Sequence, residues 1–192
     1  MILNNDIKYR GELGKTLKLD EYSSVEFPFM EQLRGLGWNQ NLNQVIELSM
    51  QQTPEQSFRN SFSEVVLLPK LKESLKRINP FLTDLQIDEV VRRIRTFEKN
   101  SLIENNQKVL DLLLENTTVS KNEITGEKSP TVRYIDFDNP ENNTFTAISQ
   151  FKVAIPGTDH HIIPDIVLFV NGLPLVVVEA KSPKVKEPIP EA

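Results

Sequence analysis

Apolar positions recur at two periods in this chain, and the period changes near residue 120. Before it the spacing is helical. Val25, Phe29, Leu33 and Leu36 fall on one face, Ser24 can cap the start, Pro28 is tolerated in a first turn, and Gly37 can end the helix. A second helix is expected over 62–78 with Leu68, Leu71, Leu75 and Ile78 inward; Pro69 must sit at a kink or boundary, and Asn79-Pro80 stops it. Thr83-x-x-Gln86 reads as a capping box opening a third helix to about residue 97. Ser101-x-x-Glu104 opens a fourth, with Val109, Leu110, Leu113 and Leu114 as its apolar face. After the change the runs "TVRYIDF", "FTAISQFKVAI", "IPDIVLFV" and "PLVVVEAK" read as strands separated by Asp-Asn-Pro, Pro-Gly and Asn-Gly turns, with a weaker strand around 118–124. The pattern predicts an α+β fold, helical over about 22–115 and a mixed sheet with an antiparallel hairpin over about 118–182. The last stretch, 183–192, reads as a loop with Pro183, Pro188 and Pro190.

The two final apolar runs flank Asn171-Gly172, the strongest short-range hairpin signal. Runs this apolar are normally buried on both faces, so Asp165, Glu179 and Lys181 at their ends call for pairing or a metal. Glu179 and Lys181 share a strand face because side chains alternate. With a plain two-residue loop Val170 faces Leu173, Asp165 faces Val178, and Glu179 points to the other side. One extra residue restores the match. A three-residue turn with Gly172 left-handed and a bulge would set Asp165 opposite Glu179, and Pro174 suits such an irregularity. Two acidic oxygen donors suit Mg²⁺, and a neighbouring ammonium can stabilise charge on a phosphate or help activate a water. A phosphodiester-cleaving site is one reading, and it requires a bulged hairpin. The other is a buried hairpin whose end charges reach solvent.

The chain has 192 residues, enough for one sizeable core, and reads as a single domain over 1–192. It contains no cysteine, which excludes thiol catalysis, disulfides and zinc–cysteine sites. No run approaches the length of a membrane helix and no signal-peptide pattern opens the chain, so a soluble, cytoplasmic protein is expected. A net charge of −5 argues against a stand-alone general DNA binder, but not against a nuclease delivered to DNA by partners. The cationic clusters Lys70/Lys72/Lys76/Arg77 and Arg92/Arg93/Arg95/Lys99 are interleaved with acids and read as solvated helix faces. Lys184 and Lys186, close to Lys181, are better placed for phosphate contact. No repeat, phosphate-cradling glycine loop or ATP-binding motif is present.

Pro164-Asp165 followed by Glu179-x-Lys181 resembles the PD-(D/E)xK nuclease superfamily. The longer string "IPDIVLFVNGLPLVVVEAKSP" resembles the N-terminal nuclease domain of the restriction (R) subunit of type I restriction–modification enzymes. So do "VEFPFMEQLRGLGW", "SFSEVVLLPKLKESLKRINP" and "IDFDNPENNTFTAISQFKV", in the family's order. Two departures stand out: Ala180 where leucine is frequent, and His160-His161 where basic residues such as arginine are expected. The resemblance implies a restriction-endonuclease-like fold and Mg²⁺-dependent cleavage of double-stranded DNA. It makes Asp165 and Glu179 the metal ligands, Lys181 the activating or charge-stabilising residue, and Glu26 an additional acid, with Glu64 and Glu31 as alternatives. It further implies a following helix and strand with a glutamine-and-tyrosine motif, ATP-consuming motor domains, and modification (methyltransferase) and specificity subunits as partners. None of those later elements is in this sequence, which therefore reads as part of a larger subunit.

Gln150, mid-strand beside Phe151, can bond across the sheet, approach the site or contact DNA. His160 and His161 fit an exposed turn better than a metal site, Asp136 and Asp138 fit strand alternation, and Trp38 a core or rim position. Besides the nuclease, the sequence leaves open a catalytically idle docking module for DNA or subunits, and a nuclease of another PD-(D/E)xK family.

Overall fold

The structure is a computed structural model and describes residues 21–96, 101–114 and 117–181. Its first turn, Tyr22–Glu26, has π-helical pitch and runs without a break into α1 (Phe27–Gly35). Ser24 therefore lies inside the turn and caps nothing. A π turn holds more residues than an α turn, so the face that follows is rotated from a continuous α-helical reading. Glu26, Met30 and Leu33 are the buried positions, while Leu36 is exposed. Gly37, at φ +91, closes α1 in a Schellman arrangement: its N–H donates to Arg34 O and that of Trp38 to Leu33 O.

A short strand, β1 (Gln44–Glu47), then precedes α2 (Leu68–Ile78) and α3 (Asp84–Arg95). Helix α2 begins later than the apolar pattern suggested, because Pro69 occupies its first turn and disfavours helix in what precedes it. The Thr83–Gln86 capping box forms as expected, with reciprocal side-chain bonds. In α4 (Leu102–Leu114) Ser101 and Glu104 bond reciprocally, but the buried face is rotated. Val109, Leu112 and Leu113 turn toward the core, and Leu110 and Leu114 face out.

The β half is more broken than its apolar runs. A ribbon pairs β2 (Thr117–Thr118) with β3 (Thr131–Val132); Tyr134 and Ile135 beyond it are core residues rather than strand. Strand β4 (Phe145–Ser149) stops at Gln150, which is left-handed at φ +52, and the run resumes as β5 (Val153–Ala154) against β6 (His161–Ile162). The hairpin is β7 (Ile166–Val170) and β8 (Leu173–Val178). The sheet order is β1-β4-β7-β8, with β1 parallel to β4 and the rest antiparallel. This is a mixed sheet in an α+β fold. Pattern reading missed β1, a four-residue strand held by partners distant in sequence; Asn43 Oδ1 accepts from Phe145 N at 2.9 Å beside it.

Strand β7 is covered on both faces, which accounts for its unbroken apolar run. Met30 and Leu33 of α1 pack on Ala147 and Ile166, while Leu67, Ile148, Phe151, Val167 and Phe169 pack on the opposite face. A third cluster gathers α2, α3 and α4 around Tyr134 and Leu173. Strand β8 departs from the expectation of two-sided burial: it is an edge, and Leu175, Val176 and Val177 are exposed.

The hairpin tip is a two-residue turn with both residues at positive φ, Asn171 at +52 and Gly172 at +82, as a type I′ turn requires. Asn171 is fully buried. Its Oδ1 accepts from Thr144 N at 2.8 Å and its Nδ2 donates to Tyr134 O at 2.9 Å. Gly172 O accepts from Leu67 N at 2.9 Å, so the tip lies hard against the start of α2. The extra residue sits in the strand, not in the loop. Leu168 pairs with Val176 and Phe169 with Pro174, leaving Leu175 as a bulge.

Candidate active site

The bulge decides the geometry. Pairing runs Ile166 with Val178, so one step further Asp165 lies across from Glu179. The alignment that a plain hairpin would forbid is restored, through a bulge at Leu175 in place of a longer loop. Asp165 is fixed by three links: its Oδ2 accepts from Ala180 N at 2.7 Å, its carbonyl from Gln150 N at 2.7 Å, and the preceding Pro164 carbonyl from Phe151 N at 3.2 Å. Ala180 is buried, which seats the strand end beneath the carboxylate.

The two carboxyl groups lie across the strand pair, and each bears on the other's charge. Glu179 is held above the usual glutamate range by partial burial, then by the negative charge of Asp165 and a hydrogen bond with its carboxyl, with a smaller push from Glu21. Lys181 pulls the other way. A pair of hard oxygen donors whose mutual repulsion is only partly offset by one ammonium suits a divalent cation such as Mg²⁺, which takes one or two carboxylates and completes its shell with water and substrate. The donor set fits the ion. Among the described residues no cluster of three acidic or histidine side chains is close enough to hold a metal by itself.

Glu26 is only 5 % exposed and reaches this region through Gln150, whose Nε2 donates to its Oε2 at 3.0 Å. Gln150 is thereby engaged by an acid. Glu31 pairs instead with Arg34 on the outer side of α1, and Glu64 caps Asn60 N at 2.8 Å. Tyr22, one turn before Glu26, bonds Glu47 at 2.8 Å; this bond chiefly, with burial and the charges of Glu47 and Glu26, pushes its phenol up to about 12.

Other candidates lie elsewhere. His160 and His161 are exposed on the β5–β6 ribbon, His161 edge-on to Phe62. Asp136 organises the loop after β3, accepting from Asn139 N and Asn142 Nδ2. Asp138 pairs with Arg133 at 2.6 Å, and Trp38 packs on Phe145. Lys184 and Lys186 fall outside the described residues. Sequence reasoning overlooked Glu21, whose charge bears on Glu179, and Gln52, which anchors Gln150 from below; neither stands in a recognisable pattern.

The family described as Type I restriction enzyme R protein N terminus matches residues 18–192. The chain is 32% identical over 162 residues to the type I restriction enzyme HindI endonuclease subunit of Haemophilus influenzae, covering 84% of this chain and 15% of that protein. It is 27% identical over 168 residues to a Methanocaldococcus jannaschii protein named provisionally as the type I restriction enzyme MjaIXP endonuclease subunit, covering 87% of this chain and 16% of that one. The chain thus spans less than a fifth of the length of these relatives. With the match running from ahead of the π-helical turn through the hairpin and its carboxylates, the chain belongs to the type I restriction enzyme R protein N-terminal family.

Proposed function

We propose that this chain is the Mg²⁺-dependent endonuclease domain of a type I restriction enzyme R subunit, a nuclease of the PD-(D/E)xK kind that cleaves double-stranded DNA. The observation that carries the reading is the register that sets Asp165 across from Glu179, where the charges of Asp165 and Lys181 both bear on Glu179. Asp165 and Glu179 would hold the ion. Bound there, the ion supplies Lewis acidity toward a phosphodiester and the attacking water. Asp165 is oriented for this by Ala180 N and by the backbone link to Gln150. The Lys181 ammonium offsets charge gathering on the phosphate and can hold or pass a proton at Nζ. Glu26 adds a third negative charge from the π-helical turn ahead of α1. In the complete complex, motor domains would consume ATP, and modification and specificity subunits would choose the target.

The test is made in the assembled enzyme. Asp165→Ala and Lys181→Ala should each abolish DNA cutting while ATP hydrolysis and subunit assembly persist. Both positions are at strand ends, and a thermal melt checks that each variant is folded. Normal cutting by either folded variant would sink the catalytic assignment and favour a docking module for DNA or subunits.

A further inference from the structure

Gln150 is the residue where β4 breaks, and it adopts a left-handed conformation that side chains larger than glycine rarely take. Such an outlier persists only where its surroundings over-determine it, and here they do. Its N–H donates to Asp165 O at 2.7 Å, and its carbonyl accepts from Gln52 Nε2 at 2.6 Å. Gln52 is buried and also donates to Ser49 O at 2.9 Å, so the anchor is itself tied down. Two residues on, the buried Arg59 guanidinium donates to Lys152 O at 2.9 Å and stacks 3.8 Å over Phe151. The segment from Gln52 to Arg59 thus clamps the backbone on both sides of the break. The kink turns the Gln150 side chain out of the strand line, and its amide meets the Glu26 carboxylate at 3.0 Å.

We propose that Gln150 is a positioning residue: its side-chain amide fixes the Glu26 carboxylate on the Asp165 side of the site, with Gln52 locking the backbone that aims it. The inference rests on the carboxylate-pair reading above. A glycine would accept the same backbone conformation more easily. The presence of glutamine is explained by the reach of its amide. Glu26 comes from a helical turn and Asp165 from the start of the hairpin, and Gln150 is bonded to both. Fixing the helical acid relative to the sheet acid sharpens the negative field a cation meets, as outer partners of metal ligands do.

The experiment is a Mn²⁺ titration of this chain, following the relaxation of water protons. The variants are Gln150→Gly, Glu26→Gln, their combination, and Asp165→Asn. Glycine keeps the left-handed backbone and the Gln52 bond while removing only the amide. Gln150→Asn, which tolerates that conformation but is one methylene too short, serves as a second variant, and melting temperatures check the fold of each. Gln150→Gly and Gln150→Asn should each weaken Mn²⁺ binding about tenfold, the scale of outer-partner losses. In the Glu26→Gln background the same change should add no further loss, because the amide then has no carboxylate to hold. An undiminished tenfold loss in that background overturns the proposal by showing that Gln150 does not act through Glu26. Wild-type affinity in Gln150→Gly, with binding abolished by Asp165→Asn, overturns it while leaving the carboxylate pair intact. Wild-type affinity in Asp165→Asn removes the pair reading and this inference with it.

Discussion

Glu179 holds its proton more tightly than an ordinary glutamate because partial burial and the neighbouring Asp165 penalise its charge, and Lys181 only partly compensates. The sign of the resulting pH effect follows from linkage. A carboxyl whose folded midpoint is raised favours the folded state while it is protonated, and that advantage is lost as pH rises through the folded midpoint. Glu179→Gln should therefore raise the melting temperature at pH above the folded midpoint, where the wild-type carboxyl has lost its proton. The gain should shrink to nothing once pH falls below the ordinary glutamate range, where both side chains are neutral. Melts across pH make the comparison; a gain of equal size in acid would mean that packing, not charge, separates the two side chains. Binding sites that gather like charge are expected to sit at this kind of disadvantage when no counter-ion is present.

At the scale of the element, the hairpin is the decisive unit, and its tip tolerates no added atoms. A Cβ on Gly172 would lie 2.6 Å from Leu67 O and 2.8 Å from Leu71 N, both backbone, at a positive φ that L side chains rarely adopt. Left-handed strain of about 1–2 kcal/mol and overpacking of about 1–3 kcal/mol predict that Gly172→Ala destabilises by about 2–5 kcal/mol. Denaturant unfolding measures it, and a loss under 1 kcal/mol would mean that the tip moves freely away from α2. The hairpin was readable because Asn-Gly and the apolar runs are local signals, and a site shared by Asp165 and Glu179 required one surplus residue between them. The sequence did not say that it would be Leu175 in the strand while the turn kept its two residues, since this depends on how the tip seats on α2. Strand β1 and the Glu26–Gln150 bond were illegible for a similar reason. Each joins segments more than a hundred residues apart, and propensity carries no information across that span. The rotated faces of α1 and α4 belong to the same class. Their periods were right, but their phases were set by a π turn and by the neighbours they met.

Over the whole molecule, charge and edge exposure govern behaviour. With a net charge of −5 and helical cations spent in pairs such as Lys72–Asp88, Lys76–Asp84 and Arg93–Glu89, the surface offers little counter-ion release to DNA. On the proposed reading, affinity for DNA must come from the rest of the complex. Strand β8 forms an edge of the four-stranded sheet, with Val176 at 47% and Val177 at 60% exposure. Among the described residues nothing covers this apolar edge, and such an edge invites pairing between copies. Val177→Lys should reduce concentration-dependent light scattering and shift stability by no more than about 0.5 kcal/mol, as for other surface changes. Scattering that is unchanged would place self-association on another surface.

The bulge at Leu175 has one more consequence, and it concerns counting rather than chemistry. The tip is anchored on α2, and the acid at the far end of β8 must face Asp165, so the number of residues between Gly172 and Glu179 has to be right in parity as well as in length. Exchanging one apolar residue for another inside that stretch preserves the arithmetic. Losing or gaining a single codon there would turn Glu179 and Lys181 together to the opposite side of the sheet, even if every residue of the motif were still spelled correctly.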